Sequence, residues 1–181
     1  MKVLVVYASR YGSTAGIAER IAARLRDLGT AAECCDANRA PDAEGFDAVV
    51  VGSAAYYFHW MKGARAWVDR NRGALAERPV WLFSSGPMGT NPLDAKGRDL
   101  CKVTVPKEIA EFTASIHSKG HRVFFGAFDP AKLGFLDRLV TKLPMNKDNA
   151  IFPPGDFRNW KEIDGWADEI AHEVVSAQGV D

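Results

Sequence analysis

Long apolar runs, surplus charge and a cysteine framework are all missing from this sequence of 181 residues. No apolar stretch reaches the roughly 18 residues that a helix needs to span a bilayer. Lys and Arg total 23, and Asp and Glu also total 23, so no net charge draws the chain to nucleic acid. The 3 cysteines are too few for a disulfide framework, and no basic leader precedes the apolar run that begins at Lys2. We therefore expect a cytosolic protein whose cysteines are reduced and whose partners do not include nucleic acid.

Catalytic and metal-binding motifs are also scarce. The chain has no Gly-x-Ser-x-Gly nucleophile elbow. Its 4 histidines do not have the spacing of a metal site; they are His59, His117, His121 and His172. We interpret His117 and His121 as surface residues near a helix end. The sequence thus offers neither a nucleophile nor a metal site of its own.

What the sequence does contain is an alternation of short apolar runs with segments of helical spacing. The runs predict strands at about 2–8, 31–37, 46–54, 79–85 and 121–128. The helical spacing predicts helices from Thr14 to Gly29 and at about 61–75, 106–118 and 160–177. This order predicts a single α/β domain over 1–181: a doubly wound parallel sheet of five strands, order 2-1-3-4-5, with helices on both faces. Its ligand site would lie beyond the carboxyl ends of strands one and three.

The turn after the first strand has the composition of an anion-binding loop. It reads Ser9-Arg10-Tyr11-Gly12-Ser13-Thr14, with hydroxyls placed at the predicted start of a helix. Backbone amides there have no intrahelical partner, and the helix dipole favours negative charge. The loop lacks the Gly-Lys-Ser/Thr ending of a Walker A motif. We interpret it as a cradle for a phosphate monoester; an ordinary capped turn is the alternative.

Two further loops would meet this cradle at the same edge of the sheet. The segment GSAAYYFHWMKG, after the third strand, carries consecutive aromatic rings that could cover a flat ring system. The segment SSGPMGTNP, after the fourth strand, could present backbone amides to the polar edge of such a ring. Phosphate cradle, aromatic clamp and polar edge together predict FMN. Beyond residues 9–14, the predicted contacts are Ser53, Ala54, Ala55, Tyr56, Tyr57, Ser84, Ser85, Gly86, Pro87 and Gly89. For Phe58 and Trp60, packing in the core is an equally good interpretation.

These loops resemble the flavodoxin family, whose phosphate loop is Ser/Thr, any residue, Ser/Thr, Gly, any residue, Thr. The chain matches at Ser9, Gly12 and Thr14 and departs at Tyr11. This departure removes the hydroxyl from its usual place and predicts weaker phosphate binding. It is more similar to the flavodoxin-like, menaquinone-dependent protoporphyrinogen oxidases of bacteria. They too have a non-hydroxyl residue before the loop glycine and a segment inserted after the last strand. The resemblance implies an FMN enzyme of heme biosynthesis that passes electrons from a porphyrinogen to a quinone.

The inserted segment lies here at about 129–155, and its first part reads DPAKLGFLDRLVTKLP. Asp129 is predicted to cap a helix that begins at Pro130, and the leucines that follow fall on one face with basic residues elsewhere. Two interpretations stay open. The helix packs on its own domain, or it lies on a membrane surface, at the inner face of the plasma membrane, where a lipid-soluble quinone would be met.

Positive charge near the predicted ring site favours an enzyme over an electron shuttle. Arg10, His59, Lys62 and Arg65 lie in or just after the three loops. Cations there would stabilise the reduced, anionic flavin by Coulomb attraction. We therefore predict a two-electron oxidoreductase, with His59 and Lys62 as candidate contacts to an acidic substrate. An electron-transfer flavodoxin and a flavodoxin-fold module without flavin are the alternatives, and the sequence makes no prediction of oligomeric state.

Overall fold

A parallel sheet of five strands forms the centre of the fold in the computed structural model, which describes residues 1–132 and 154–176. In chain order its strands are β1 (Lys2–Ala8), β2 (Ala31–Asp36), β3 (Ala48–Tyr56), β5 (Val80–Ser85) and β6 (Gly120–Phe124). The order across the sheet is β2-β1-β3-β5-β6, so the predicted α/β fold and its 2-1-3-4-5 order are confirmed. A short strand β4 (His59–Trp60) turns back and pairs antiparallel with the end of β3.

Helices cover both faces of the sheet. They are α1 (Ser13–Asp27), α2 (Lys62–Arg70), α3 (Arg72–Ala76), α4 (Leu100–Val103), α5 (Glu108–Ile116) and α6 (Trp160–Ser176). On one face, buried residues of α1 and α6 such as Ile21 and Trp166 pack on Phe83. On the other face, Trp67 of α2 and Phe112 of α5 belong to a second buried cluster. None of the helices in the described ranges has the length and apolarity that crossing a membrane requires.

The helix predicted over 61–75 is divided in two at Asn71. This buried amide accepts a hydrogen bond from the Ala43 backbone nitrogen (2.8 Å) and donates one to the Trp67 carbonyl (2.9 Å). The side chain therefore competes with the backbone ladder and ties the junction to the 3₁₀ turn Ala43–Gly45.

The strand predicted over 121–128 also ends early, at Phe124. The chain leaves the sheet there because Gly126 takes other partners: its nitrogen donates to the Pro87 carbonyl (2.8 Å) and its carbonyl accepts from the Phe157 nitrogen (3.0 Å). A strand β7 (Ala127–Phe128) then pairs antiparallel with β8 (Gly155–Asp156). We call this pair the ribbon. It joins the two ends of the predicted insertion.

Only the edges of that insertion fall within the described residues. Asp129 Oδ1 accepts a hydrogen bond from the Ala131 nitrogen (2.9 Å) at the start of the 3₁₀ turn Pro130–Lys132. The rest of the predicted amphipathic helix, residues 133–153, lies outside the described ranges.

The three cysteines, Cys34, Cys35 and Cys101, are free and half-buried. Burial raises the pKa of the Cys34 thiol to about 12 and that of Cys101 to about 11. Both thiols therefore stay protonated near neutral pH and are poor nucleophiles.

Candidate functional site

A cleft opens where β1, β3 and β5 end, at the edge of the sheet predicted to bind a ligand. All three predicted loops contribute to it, and the ribbon closes one side. The residues that line it are Ser9, Arg10, Tyr11, Ser13, Thr14, Ala54, Ala55, Tyr56, Ser85, Gly86, Met88 and Ala127.

The loop from β1 to α1 presents the amino end of α1 to this cleft. Gly12 adopts the left-handed backbone (φ 88°), which glycine reaches without steric penalty. Its nitrogen donates to Ser9 Oγ at 3.1 Å and fixes the turn. The first turn of α1, a helix described in full, contains no acidic residue, so the positive end of its dipole is not offset locally.

Thr14, in the first turn of α1, carries a buried hydroxyl without a partner. The residue is fully buried, and Oγ1 makes no hydrogen bond among the described residues. Leaving such a hydroxyl unsatisfied costs on the order of 1–3 kcal/mol. Since Thr14 also lines the cleft, an anion seated at the amino end of α1 would offer that proton an acceptor. The donor set thus fits the phosphate of a mononucleotide such as FMN.

The ribbon braces this loop from the side. The Ala127 nitrogen donates to Ser13 Oγ at 2.8 Å, and Ser85 Oγ lies 3.4 Å from the same hydroxyl. Behind the ribbon, Arg158 donates from Nη1 to the Ser13 carbonyl (3.4 Å) and pairs with Asp156 at 2.6 Å. Ser13 is therefore oriented by groups that lie 72 to 145 positions away in the chain.

Tyr11 stands where the family pattern has a hydroxyl residue, and its ring packs against the ribbon. The ring centroid lies 6.5 Å from that of Phe128 in an edge-to-face arrangement, a geometry that stabilises aromatic pairs. The Arg10 guanidinium lies 5.3 Å from the Tyr11 ring centroid. This departure from the pattern thus serves the contact between the phosphate loop and the ribbon.

After β3, the chain reverses through a strained two-residue turn. Tyr56 pairs with His59 across β3 and β4, and the two residues between them have positive φ, 51° at Tyr57 and 64° at Phe58. Two consecutive left-handed residues match the sign pattern of a type I′ hairpin, which normally takes Asn and Gly. We call residues 56–59 the aromatic turn.

The rings that follow β3 do not share one environment. Tyr56 lines the cleft, whereas Tyr57 is 94% exposed and does not line it. Phe58 is 51% exposed, and Trp60 is only 1% exposed. Trp60 contacts Phe112 of α5, with ring centroids 5.6 Å apart, so packing in the core is the correct interpretation for Trp60.

Several hydrogen bonds hold the aromatic turn against α5 and the sheet. The Phe58 carbonyl accepts from the Lys107 nitrogen (3.0 Å). Glu108 accepts from the Trp60 nitrogen at 3.3 Å. The Met61 nitrogen donates to the buried Ser53 hydroxyl at 3.0 Å. A strained backbone persists only when its surroundings fix it, and these bonds provide that constraint.

The cations expected around the ring site are separated in the structure. Arg10 lines the cleft, but His59 and Arg65 both reach Glu108, at 2.8 and 3.3 Å, and Lys62 lines a separate surface recess. Although burial alone would raise the pKa of Glu108, hydrogen bonds from His59 and from backbone nitrogens lower it. Of the four residues, Arg10 therefore lines the cleft, whereas His59 and Arg65 are drawn to Glu108. Substrate contact by His59 and Lys62 stays a prediction.

Most predicted cofactor contacts line the cleft, but a minority do not; these are Gly12, Ser53, Tyr57, Ser84, Pro87 and Gly89. Ser53 and Ser84 are fully buried and use their hydroxyls inside the fold. Sequence reasoning missed Met88, which lies between two predicted residues, and Ala127. No local signal marks Ala127, since only the ribbon brings it to Ser13.

His121 is not the surface residue that the sequence predicts. It lies half-buried in β6 with Nε2 2.8 Å from Ser84 Oγ, and burial lowers its pKa to about 4. His117 is exposed at the end of α5, as predicted. Among the described residues there is no cluster of three or more potential metal ligands.

The sheet order and the anion cradle define a doubly wound α/β protein with a mononucleotide-type site at its switch point. The family model for the flavodoxin domain matches residues 4–150. The chain therefore belongs to the flavodoxin domain family, as its phosphate loop predicts.

Solved structures agree with this fold. A flavodoxin from the domain Archaea superposes with a TM-score of 0.60 at 16% identity, over 96% of this chain and 99% of the other. The Flv1 flavodiiron core from Synechocystis sp. PCC6803 has a TM-score of 0.62 at 15% identity, over 98% of this chain and 36% of that longer one.

A full-length relative is more informative about function. Protoporphyrinogen IX dehydrogenase (quinone) of Escherichia coli strain K12 is 24% identical over 179 residues, covering 95% of this chain and 96% of the relative. The chain is thus a flavodoxin-fold protein distantly related to that dehydrogenase.

Proposed function

We propose that this protein is an FMN-dependent oxidoreductase of the protoporphyrinogen dehydrogenase type, which passes electrons from a reduced tetrapyrrole to a quinone-like acceptor. The main observation in favour of FMN as the cofactor is the Thr14 hydroxyl at the amino end of α1, which is buried and has no hydrogen-bond partner among the described residues. The full-length relation to a quinone-linked dehydrogenase supports the reaction type.

The phosphate end of the cofactor would be held by the first turn of α1. Thr14 has a hydroxyl proton to donate, and Ser13 keeps its own proton after accepting from the Ala127 nitrogen. Ser9 likewise keeps its hydroxyl proton after accepting from the Gly12 nitrogen. These donors, added to the helix amides, would compensate for the Ser or Thr hydroxyl that the family pattern has at the position of Tyr11.

The ring end would lie between the aromatic turn and the loop after β5. Tyr56 offers an aromatic ring, and Gly86 and Met88 line the opposite loop. The two loops approach closely at Gly86, where a Cβ would lie in ordinary van der Waals contact with the Ala55 Cβ at 3.6 Å. Bound FMN supplies hydride and single-electron transfer through its own ring system, so the protein needs no nucleophile.

Charge at the cleft favours an enzyme over a shuttle. No acidic side chain is among the described residues that line the cleft, and Arg10 is cationic. A positive charge near the ring stabilises the reduced anion and raises its potential. The absence of an acidic rim among these residues also disfavours docking on basic redox partners.

The first experiment measures flavin binding and the number of electrons transferred per step. The purified protein is incubated with FMN, desalted, examined by absorbance and then photoreduced without oxygen. We expect retained FMN that bleaches in a single two-electron step, followed by turnover of protoporphyrinogen with a menaquinone analogue. Retained FMN that is reduced in two separate one-electron steps, without turnover, would instead favour an electron-transfer flavodoxin.

A variant pair tests the phosphate site directly. Thr14→Val keeps the shape of the side chain but removes the hydroxyl, and we expect FMN affinity to fall about tenfold while riboflavin affinity is unchanged. Thr30→Val is the matched control, because Thr30 is also buried but lies beyond the carboxyl end of α1. Equal FMN affinity in both variants would argue against a phosphate at α1.

Membrane contact of the inserted segment stays a prediction, because residues 133–153 lie outside the described ranges.

A further inference from the structure

Behind the cleft, two buried side chains and the half-buried His121 form a hydrogen-bonded relay across the sheet. Trp60 Nε1 lies 2.8 Å from Ser84 Oγ, and Ser84 Oγ lies 2.8 Å from His121 Nε2. Trp60 and Ser84 are essentially inaccessible to solvent. The relay therefore connects β4, β5 and β6, and it ends at the edge strand of the sheet.

The chemistry of the three groups sets the direction of the relay. An indole N–H can only donate, so Trp60 donates to Ser84 Oγ. The serine then has one proton to give, and Nε2 of His121 accepts it in the tautomer that carries its proton on Nδ1. Burial lowers the pKa of His121 to about 4, so the ring is neutral near pH 7 and has one nitrogen free of a proton.

The Trp60 end of the relay holds a strained segment. Tyr57 and Phe58, which precede β4, both have left-handed backbones that are costly for residues with a Cβ. Tyr56, which lines the cleft, begins the same hairpin. If Trp60 lost its partner, the hairpin would lose one of the bonds that keep the strained conformation populated.

We propose that His121 is a positioning residue for the cofactor site: through Ser84 it holds the Trp60 indole, and Trp60 holds the aromatic turn that presents Tyr56 to the cleft. This inference rests on the proposed FMN function. In this proposal His121, which lies outside the cleft, affects the ring end of the site, whereas Thr14 acts on the phosphate end.

The test uses the full-length chain and two readouts. His121→Leu removes the acceptor, and His121→Gln restores one through its carboxamide oxygen. Arg122→Gln is the control, since Arg122 is the next residue on β6 and pairs with Glu169 of α6 (2.9 Å) instead. The first readout is the solvent exchange of the Trp60 indole proton by NMR, assigned among the 5 tryptophans with Trp60→Phe. The second is the affinity for FMN and for riboflavin.

We expect His121→Leu to speed exchange of the Trp60 indole proton and to weaken FMN and riboflavin equally, by about tenfold. His121→Gln and Arg122→Gln should stay close to the wild type in both readouts, and Ser84→Ala should match His121→Leu. Equal losses for the two flavins are required because the relay acts on the ring end, which both flavins share.

Three results would overturn the inference while leaving the proposed function intact. Unchanged flavin affinity in His121→Leu would show that the relay does not act on the site. A defect of the same size in His121→Gln would show that only the shape of the imidazole matters. A loss confined to FMN would place the effect at the phosphate. A wild-type protein that binds neither flavin would overturn the proposed function itself, and this inference with it.

Discussion

The left-handed backbone of Tyr57 predicts that removing its Cβ will make the protein more stable. A Cβ in the left-handed region costs about 1–2 kcal/mol, and glycine loses about 0.5–1 kcal/mol through its greater freedom in the unfolded chain. Because Tyr57 is 94% exposed, its ring contributes little packing. Tyr57→Gly should therefore raise the free energy of unfolding by about 0.5–1 kcal/mol, or the Tm by about 2 °C.

The matched control is Tyr57→Ala, which removes the same ring but keeps the Cβ at φ 51°. Both variants are compared by urea denaturation of the flavin-free protein, where an unchanged slope and a shifted midpoint report stability alone. Tyr57→Gly should exceed Tyr57→Ala by the same net difference of about 0.5–1 kcal/mol, since only glycine relieves the strain. If the two variants unfold at the same urea concentration, the turn is not strained and the reasoning about its anchors fails.

Other predictions concern the buried polar groups and glycines. The Thr14 hydroxyl has no partner among the described residues, so Thr14→Val should leave the stability of the flavin-free protein unchanged or raise it by about 1 kcal/mol. A loss of stability in calorimetry would show that the hydroxyl has a hydrogen-bond partner after all. The pKa of His121 falls from 6.5 to about 4 on folding, so between these values the unfolded chain binds a proton that the folded protein does not. The free energy of unfolding should therefore drop by up to about 3 kcal/mol between pH 7 and pH 4. In urea titrations, His121→Gln should lack this part of the pH dependence. Gly52→Ala would place a Cβ 2.0 Å from the Phe83 ring and should lower the free energy of unfolding by at least about 2 kcal/mol in urea denaturation. Gly165→Ala in α6 meets open space and should raise it by about 0.5–1 kcal/mol.

The sheet and its three loops could be predicted because each depends on local pattern. Buried parallel strands are continuous apolar runs, and the phosphate loop has its hydroxyls at a helix start. The errors have a different origin. His121 begins an apolar run, but the polar environment of its ring depends on Ser84, 37 positions away. Likewise the division of the second helix depends on a contact between Asn71 and Ala43, across 28 positions.

The electrostatic argument shows the same limit. Proximity in sequence places His59 and Arg65 beside the cofactor loops. The effect of such a side chain on the potential at the site, however, also depends on the charged groups that it contacts. Glu108 comes from α5, about 45 residues later, and both side chains reach its carboxylate. Arg10, by contrast, belongs to the phosphate loop and lines the cleft.

The ribbon links the inserted segment to the cofactor loop in physical terms. It begins at Ala127, whose nitrogen orients the Ser13 hydroxyl, and it ends at Asp156, whose carboxylate holds Arg158 over the first turn of α1. A Cβ at Gly16 would lie 2.5 Å from Arg158 Nη1, so glycine leaves the space that this arginine occupies. Both ends of the insertion therefore meet at the helix that would bind the phosphate. A change in the insertion that displaced the ribbon would remove a partner from Ser13, and its effect should appear first in the preference for FMN over riboflavin.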